Sequence, residues 1–179
     1  GTYFAYNTGA SLILSVIITA VTGKRLDDYI KPVLEGLDIK DYYFEALHGV
    51  AFGGVGTHVN IDALLNFGDM LLNEGKFNGK QLVPAEYVKM ATSKLVDNSH
   101  NGTIDWVQGY GLHIWRGTRG FRCDGAFGQL IIVIPEERMV VAVQALVHNM
   151  QDEVNLVYEL SNLENSIKWS TQKNIMFEA

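Results

Sequence analysis

The chain has 179 residues and a mass of 19.9 kDa, with 47% hydrophobic and 19% charged residues, which excludes global disorder and fits one domain. The formal net charge of −6 and a pI near 5.3 exclude a basic surface for sequence-independent nucleic-acid binding. The single cysteine, Cys123, excludes an intrachain disulfide framework and a cysteine zinc cluster.

The opening Gly1-Thr2-Tyr3-Phe4 reads neither as a translation start nor as a signal peptide, so a preceding segment is expected to have been removed. Residues 9–22 form an apolar helix closed by Gly23. Its run from Leu12 to Val21 is shorter than the roughly 20 residues a membrane span needs, and Ser15 and Thr19 interrupt it. It reads as a buried helix of a soluble protein, with no membrane span. Leu26 to Leu34 suggests a shorter helix with Leu26, Tyr29, Ile30 and Val33 on one face.

Phe52-Gly53-Gly54-Val55-Gly56-Thr57 is a glycine-rich loop. Asn60 is placed to cap the helix that carries Ile61, Leu64, Leu65, Leu71 and Leu72, with Gly75 as its stop. Asn78-Gly79 marks a turn, and Pro84 introduces a short helix over 85–92.

The pattern then changes to period two. Tyr110 to Trp115 alternates, while Leu130–Ile134 and Met139–Val143 are rich in β-branched residues and are joined by Pro135-Glu136-Glu137-Arg138. These segments predict a three-stranded antiparallel meander. A closing helix over 150–163 follows, carrying Val154, Leu156, Val157 and Leu160. The expected organisation is a mainly helical part over 1–100, strands over 104–146, that helix, and a polar tail over 164–179, all within one domain. Helices followed by consecutive strands define an α+β fold class. Three strands are few for this much helix, so further strands are expected from a preceding segment.

Two segments are candidates for chemistry. Tyr6-Asn7-Thr8 opens the apolar helix, where the helix dipole favours a phenolate. Packing beside Tyr3 and Phe4 is the competing reading. Asp124-Gly125-Ala126-Phe127-Gly128-Gln129 opens an apolar strand, where glycines let a ligand approach the backbone and a free N–H can stabilise an oxyanion. A bulge or tight hairpin is the competing reading there. The five histidines show no i, i+4 pairing, so neither a metal nor a cofactor is expected.

Taken in order, Tyr-x-Thr before an apolar helix, Gly-Gly-Val-Gly-Thr, the helix leading into Asn73–Pro84, Tyr110-Gly111-Leu112 and Gly125-Ala126-Phe127-Gly128-Gln129 resemble the serine β-lactamase-like family. That family comprises class C β-lactamases, penicillin-binding-protein-type peptidases and related esterases. The resemblance runs from Gly1 to about Leu160 and implies part of a β-lactamase/transpeptidase-like fold from a bacterial serine hydrolase.

In the family, a Ser-x-x-Lys element carries the acylated serine and its base. A Tyr-x-Asn or Tyr-x-Ser element shuttles protons, and a Lys-Thr-Gly or His-x-Gly strand faces the site. By resemblance, Tyr6 matches the tyrosine and Thr8 the third position of its element, with Asn7 between them. Gly125 matches the strand glycine, which makes the Ala126 N–H an oxyanion donor.

Tyr6 and Ala126 are thus the implied catalytic residues, and Asn7, Thr8, Asp124, Gly125 and Phe127 the implied substrate-binding residues. Cys123 and Asp124 stand where Lys or His and Thr are usual, a departure that lowers β-lactamase activity relative to esterase or amidase activity. The nucleophile element is expected upstream of Gly1, and this chain alone is expected to be inactive. The sole Ser-x-x-Lys here, Ser170-Thr171-Gln172-Lys173, lies in the polar tail, where the family has no such element.

The resemblance further implies a small-molecule or peptide-like substrate and a periplasmic or secreted setting. Self-association through surface exposed by truncation is also expected. The alternative is a binding or sensor domain that kept the fold and lost the chemistry.

Overall fold

The computed structural model describes residues 3–100 and 102–166, with side chains described up to residue 162. Residues 167–179, including Ser170–Lys173, lie outside the described residues. The chain divides into two compact units, Gly1–Ala85 and Glu86–Ala179.

In the first unit, α1 (Thr8–Thr22) is capped by Asn7, whose side-chain oxygen accepts from the Gly9 N–H at 2.8 Å. It ends at Gly23, whose N–H donates to the Thr19 carbonyl. α2 (Leu26–Gly36) follows. Short strands β1 (Tyr42–Phe44), β2 (Ala46–Leu47), β3 (Val50–Ala51) and β4 (Thr57–Val59) form two two-stranded antiparallel sheets, β1 with β4 and β2 with β3. Asn60 caps α3 (Ile61–Leu72), accepting from the Ala63 N–H at 2.9 Å. A hairpin of β5 (Lys76–Phe77) and β6 (Lys80–Gln81) leads to α4 (Ala85–Ala91). The part expected to be mainly helical therefore also carries small hairpins. Their strands of two or three residues are too short to show a period-two pattern.

The apolar helix departs from its expected burial. Ile13 is 60% exposed, Val21 is 80% exposed, and Leu12, Leu14, Val16 and Ile17 are also exposed. The buried residue of α1 is a serine: Ser15 is 1% exposed and donates to the Ala51 carbonyl at 2.6 Å. The glycine-rich loop explains the inversion. A Cβ on Gly53 would lie 2.3 Å from the Ser11 carbonyl oxygen, so only glycine lets the loop come this close to the small-residue side of α1. Among the described residues nothing comparable covers the apolar side. No single described helix is long and apolar enough to cross a membrane; α1 and α2 meet that requirement only jointly, across a 96° bend.

The second unit is built on an antiparallel meander of β7 (Trp115–Arg116), β8 (Phe121–Gly125), β9 (Gln129–Ile134) and β10 (Met139–Gln144), in the order β10-β9-β8-β7. The α+β class is as expected, but the meander has a fourth strand. β8 escapes the hydropathy pattern because Arg122 and Asp124 occupy positions that an apolar alternation would fill. The predicted strand at 110–115 shrinks to Trp115–Arg116, with Tyr110 held by isolated bridges to Val96 and Trp115. The linker between β9 and β10 is a 3-10 turn over Pro135–Glu137, with Arg138 left-handed at φ 52°.

α5 (Met150–Ser166) packs Val154 and Val157 against Leu130, Ile132 and Ile134 of β9. Ile131 and Val133, which point to the opposite face, are buried as well. β9 is thus a central strand shielded on both sides, which accounts for its unbroken apolar run.

Candidate active site

The residues singled out from sequence fall into two groups, one in each unit. In the first unit, Tyr6 is exposed in the extended segment that enters α1. Asn7 uses its carboxamide oxygen as the helix cap, and Thr8 is the first helical residue. The side chain of Thr8 faces the glycine-rich loop: a Cβ on Gly54 would meet its Cγ2 at 2.8 Å.

In the second unit, Gly125 pairs with Gln129 and closes a three-residue hairpin loop of Ala126, Phe127 and Gly128. A Cβ at Gly125 would meet the Gln129 Cβ at 2.7 Å, so the register of the hairpin requires glycine there. Ala126 is exposed at the crest. Phe127 is left-handed at φ 64° and 52% exposed. For a bulky residue that backbone costs about 1–2 kcal/mol.

The segment after β10 holds the loop in place. The Ala145 N–H donates to the Gly128 carbonyl at 3.1 Å and the Val147 N–H to the Phe127 carbonyl at 2.9 Å. The Gln129 side-chain amide donates to the Ala145 carbonyl. The His148 ring meets the Phe127 ring edge to face, with centroids 6.1 Å apart.

Behind the hairpin lies an ionic cluster with no counterpart among the sequence expectations. Arg122 is 1% exposed. Its Nε lies 2.9 Å from Asp124 Oδ1, its Nη2 donates to the Asp105 carbonyl at 3.0 Å, and its guanidinium sits 4.2 Å from the centre of the Trp106 ring. Asp105 accepts from the Thr118 N–H, the Gln151 side-chain amide and the Tyr158 hydroxyl. Burial pushes the Asp105 carboxyl up, but those hydrogen bonds and the Arg122 charge outweigh it and hold the group below the usual carboxylate range.

At Asp124 the balance reverses. Burial dominates and raises its carboxyl despite Arg122. Glu153 is also raised, by burial and then by the Asp124 charge; its carboxylate lies against Gly128, where a Cβ would come within 2.6 Å of Oε2. The signal for this cluster was present as opposite charges two residues apart on one strand face, Arg122 and Asp124.

The geometry also places Asp124 and Cys123. The Asp124 side chain is only 8% exposed and directed at Arg122, so it supports the hairpin from behind. Cys123, on the other face of β8, has its thiol pushed up to about 12 by burial and by the Asp124 charge. A cysteine carries no positive charge in either protonation state, so it cannot supply the cation of the usual Lys or His, and the raised value keeps it a neutral thiol. No group of three or more metal-ligating side chains occurs among the described residues.

Comparison with known proteins gives a consistent answer. The sequence profile of the family described as Beta-lactamase matches residues 1–158. A solved Bacillus anthracis structure assigned as a 6-aminohexanoate-dimer hydrolase superposes with a TM-score of 0.72 at 22% identity, over 93% of this chain and 44% of that one. A Bacteroides dorei DSM 17855 structure assigned as a beta-lactamase superposes with a TM-score of 0.67 at 15% identity, over 90% of this chain and 59% of that one. The chain thus spans less than two thirds of the length of either structure. A comparison with curated protein sequences returned no match.

Proposed function

The chain belongs to the Beta-lactamase family, and from that premise we propose that it forms part of a serine hydrolase that cleaves ester or amide bonds through an acyl-enzyme, with β-lactam or peptidoglycan-type bonds among the candidates. One observation carries this reading: the family match over residues 1–158 contains both Tyr6, at the mouth of a capped helix, and Ala126, at the crest of a glycine-closed hairpin. In this reading the nucleophilic serine and its lysine lie on polypeptide outside this chain. The serine attacks the carbonyl carbon, Tyr6 relays the proton to the leaving group, and the Ala126 N–H donates to the developing oxyanion. Asn7, Thr8, Gly125 and Phe127 line the substrate, while Asp124 acts through its ion pair with Arg122. The exposed apolar side of α1 is the surface through which the isolated chain self-associates.

The test is labelling of the full-length protein by a fluorophosphonate, together with hydrolysis of simple esters. The full-length protein should label, and Tyr6→Phe should slow turnover on the order of 10²–10³-fold. The 179-residue chain should not label, and its rapid labelling would refute the assignment of the nucleophile. The second reading, a binding or sensor domain, is favoured by Cys123-Asp124 replacing the usual Lys or His and Thr. It is adopted if the full-length protein carries no serine at the nucleophile position.

A further inference from the structure

We propose that Phe127 and His148 form an aromatic wall beside Ala126 that selects esters or amides bearing a flat aromatic group next to the scissile carbonyl. The proposal deepens the hydrolase reading and rests on it. It begins with an anomaly. The hairpin crest places a phenylalanine, not a glycine or asparagine, in the left-handed region at φ 64°, a conformation that stores strain and is retained where the surroundings over-determine it. The ring does not repay that strain by burial, because Phe127 remains 52% exposed.

The surroundings do over-determine it. The carbonyls of Phe127 and Gly128 are both held by backbone N–H groups of the segment after β10, at 2.9 and 3.1 Å. Gln129 ties the same segment from the strand side through the Ala145 carbonyl. This stitching leaves His148 one residue beyond an anchored valine, with its ring edge to face against Phe127.

Phe127, exposed and next in sequence to the candidate oxyanion donor, thus carries the exposed His148 ring edge to face against its own. A carbonyl oxygen bound at the Ala126 N–H brings its substituents beside that wall. A flat aromatic substituent then stacks on one ring while meeting the edge of the other, an arrangement that adds to simple area burial. His148 is in this account a specificity-determining residue, and its ring, not its proton, is the working part.

The experiment uses the full-length protein and three esters: phenyl acetate, ethyl benzoate and ethyl acetate. Each variant is compared with wild type on the same ester, so intrinsic reactivity cancels. His148→Ala should reduce kcat/KM for at least one aryl ester about tenfold more than for ethyl acetate, the size expected for loss of one ring contact. His148→Phe should restore most of that difference, because it returns a ring without a titratable nitrogen. An equal loss on all three esters, or no rescue by His148→Phe, overturns the wall and leaves His148 as a brace for the hairpin.

If wild type turns over none of the esters and does not label, the hydrolase reading fails, and the wall is judged by binding to the 179-residue chain. N-methylbenzamide, but not N-methylacetamide, should then shift the His148 ring resonances in NMR spectra. Equal shifts, or none, refute the wall on its own terms.

Discussion

Arg122→Met removes the permanent charge at the centre of the second unit while keeping most of the side-chain bulk. Arg122 is 1% exposed, and its loss strips Asp124 of the guanidinium 2.9 Å away, the Asp105 carbonyl of a donor, and the Trp106 ring of its cation. Breaking one partner of a buried pair typically costs about 3–5 kcal/mol. Asp124 has an escape, because it can take up a proton. At pH 7 that uptake costs about 4 kcal/mol relative to an ordinary aspartate, and at pH 5 only about 1.5 kcal/mol. The penalty at pH 7 should therefore be about 4 kcal/mol, a fall in Tm of roughly 10 °C for a chain of this size, and it should shrink markedly at pH 5.

The assay is urea and thermal unfolding followed by circular dichroism at both pH values. The double variant Arg122→Met/Asp124→Asn should recover at least half of the loss at pH 7. A cost below about 1 kcal/mol, or one that does not change between pH 7 and pH 5, would refute the argument that a desolvated Asp124 sets the magnitude.

Glu153→Gln tests the neighbouring carboxylate. Its folded-state proton affinity is raised by burial and by Asp124, so wild-type stability is lost as pH rises from about 4 through that raised value. The Gln variant should therefore gain Tm relative to wild type at pH 7 compared with pH 4; an unchanging difference would show that Glu153 is not perturbed. Cys123, with its thiol near 12, should react with iodoacetamide at pH 8 on the order of 10³-fold more slowly in the native chain than in urea, as mass spectrometry of the adduct would show. Asn60→Ala removes the cap on Ala63 N–H and should cost about 1 kcal/mol in urea unfolding.

Local signals are legible in the sequence where one short-range interaction decides the outcome. The caps at Asn60 and Gly23 and the turn at Pro135–Arg138 depend on neighbours in sequence, and the strand over Leu130–Ile134 is legible because burial on both faces leaves an unbroken apolar run. The meander's fourth strand was hidden because its inward face carries Arg122 and Asp124, whose partners Asp105 and Trp106 come from more than fifteen residues upstream. The small two-stranded sheets over residues 42–59 leave no periodicity to detect, because each strand has so few residues. The loop of Ala126–Gly128 was picked out by composition and family resemblance. Its brace from Ala145 to His148 was not, because backbone hydrogen bonds leave no trace in residue identity.

The attachment of α1 inverts the usual mutational map of a helix. Its hold on the first unit runs through a hydroxyl, Ser15, and through the close approach of Gly53 to Ser11, while Ile13 and Val21 face outward. Within this chain, charged replacements at Ile13 or Val21 should leave the fold intact and improve solubility, whereas the modest Ser15→Val should displace the helix. A ranking of positions by hydropathy would therefore protect the expendable side chains of α1 and discard the one that anchors it.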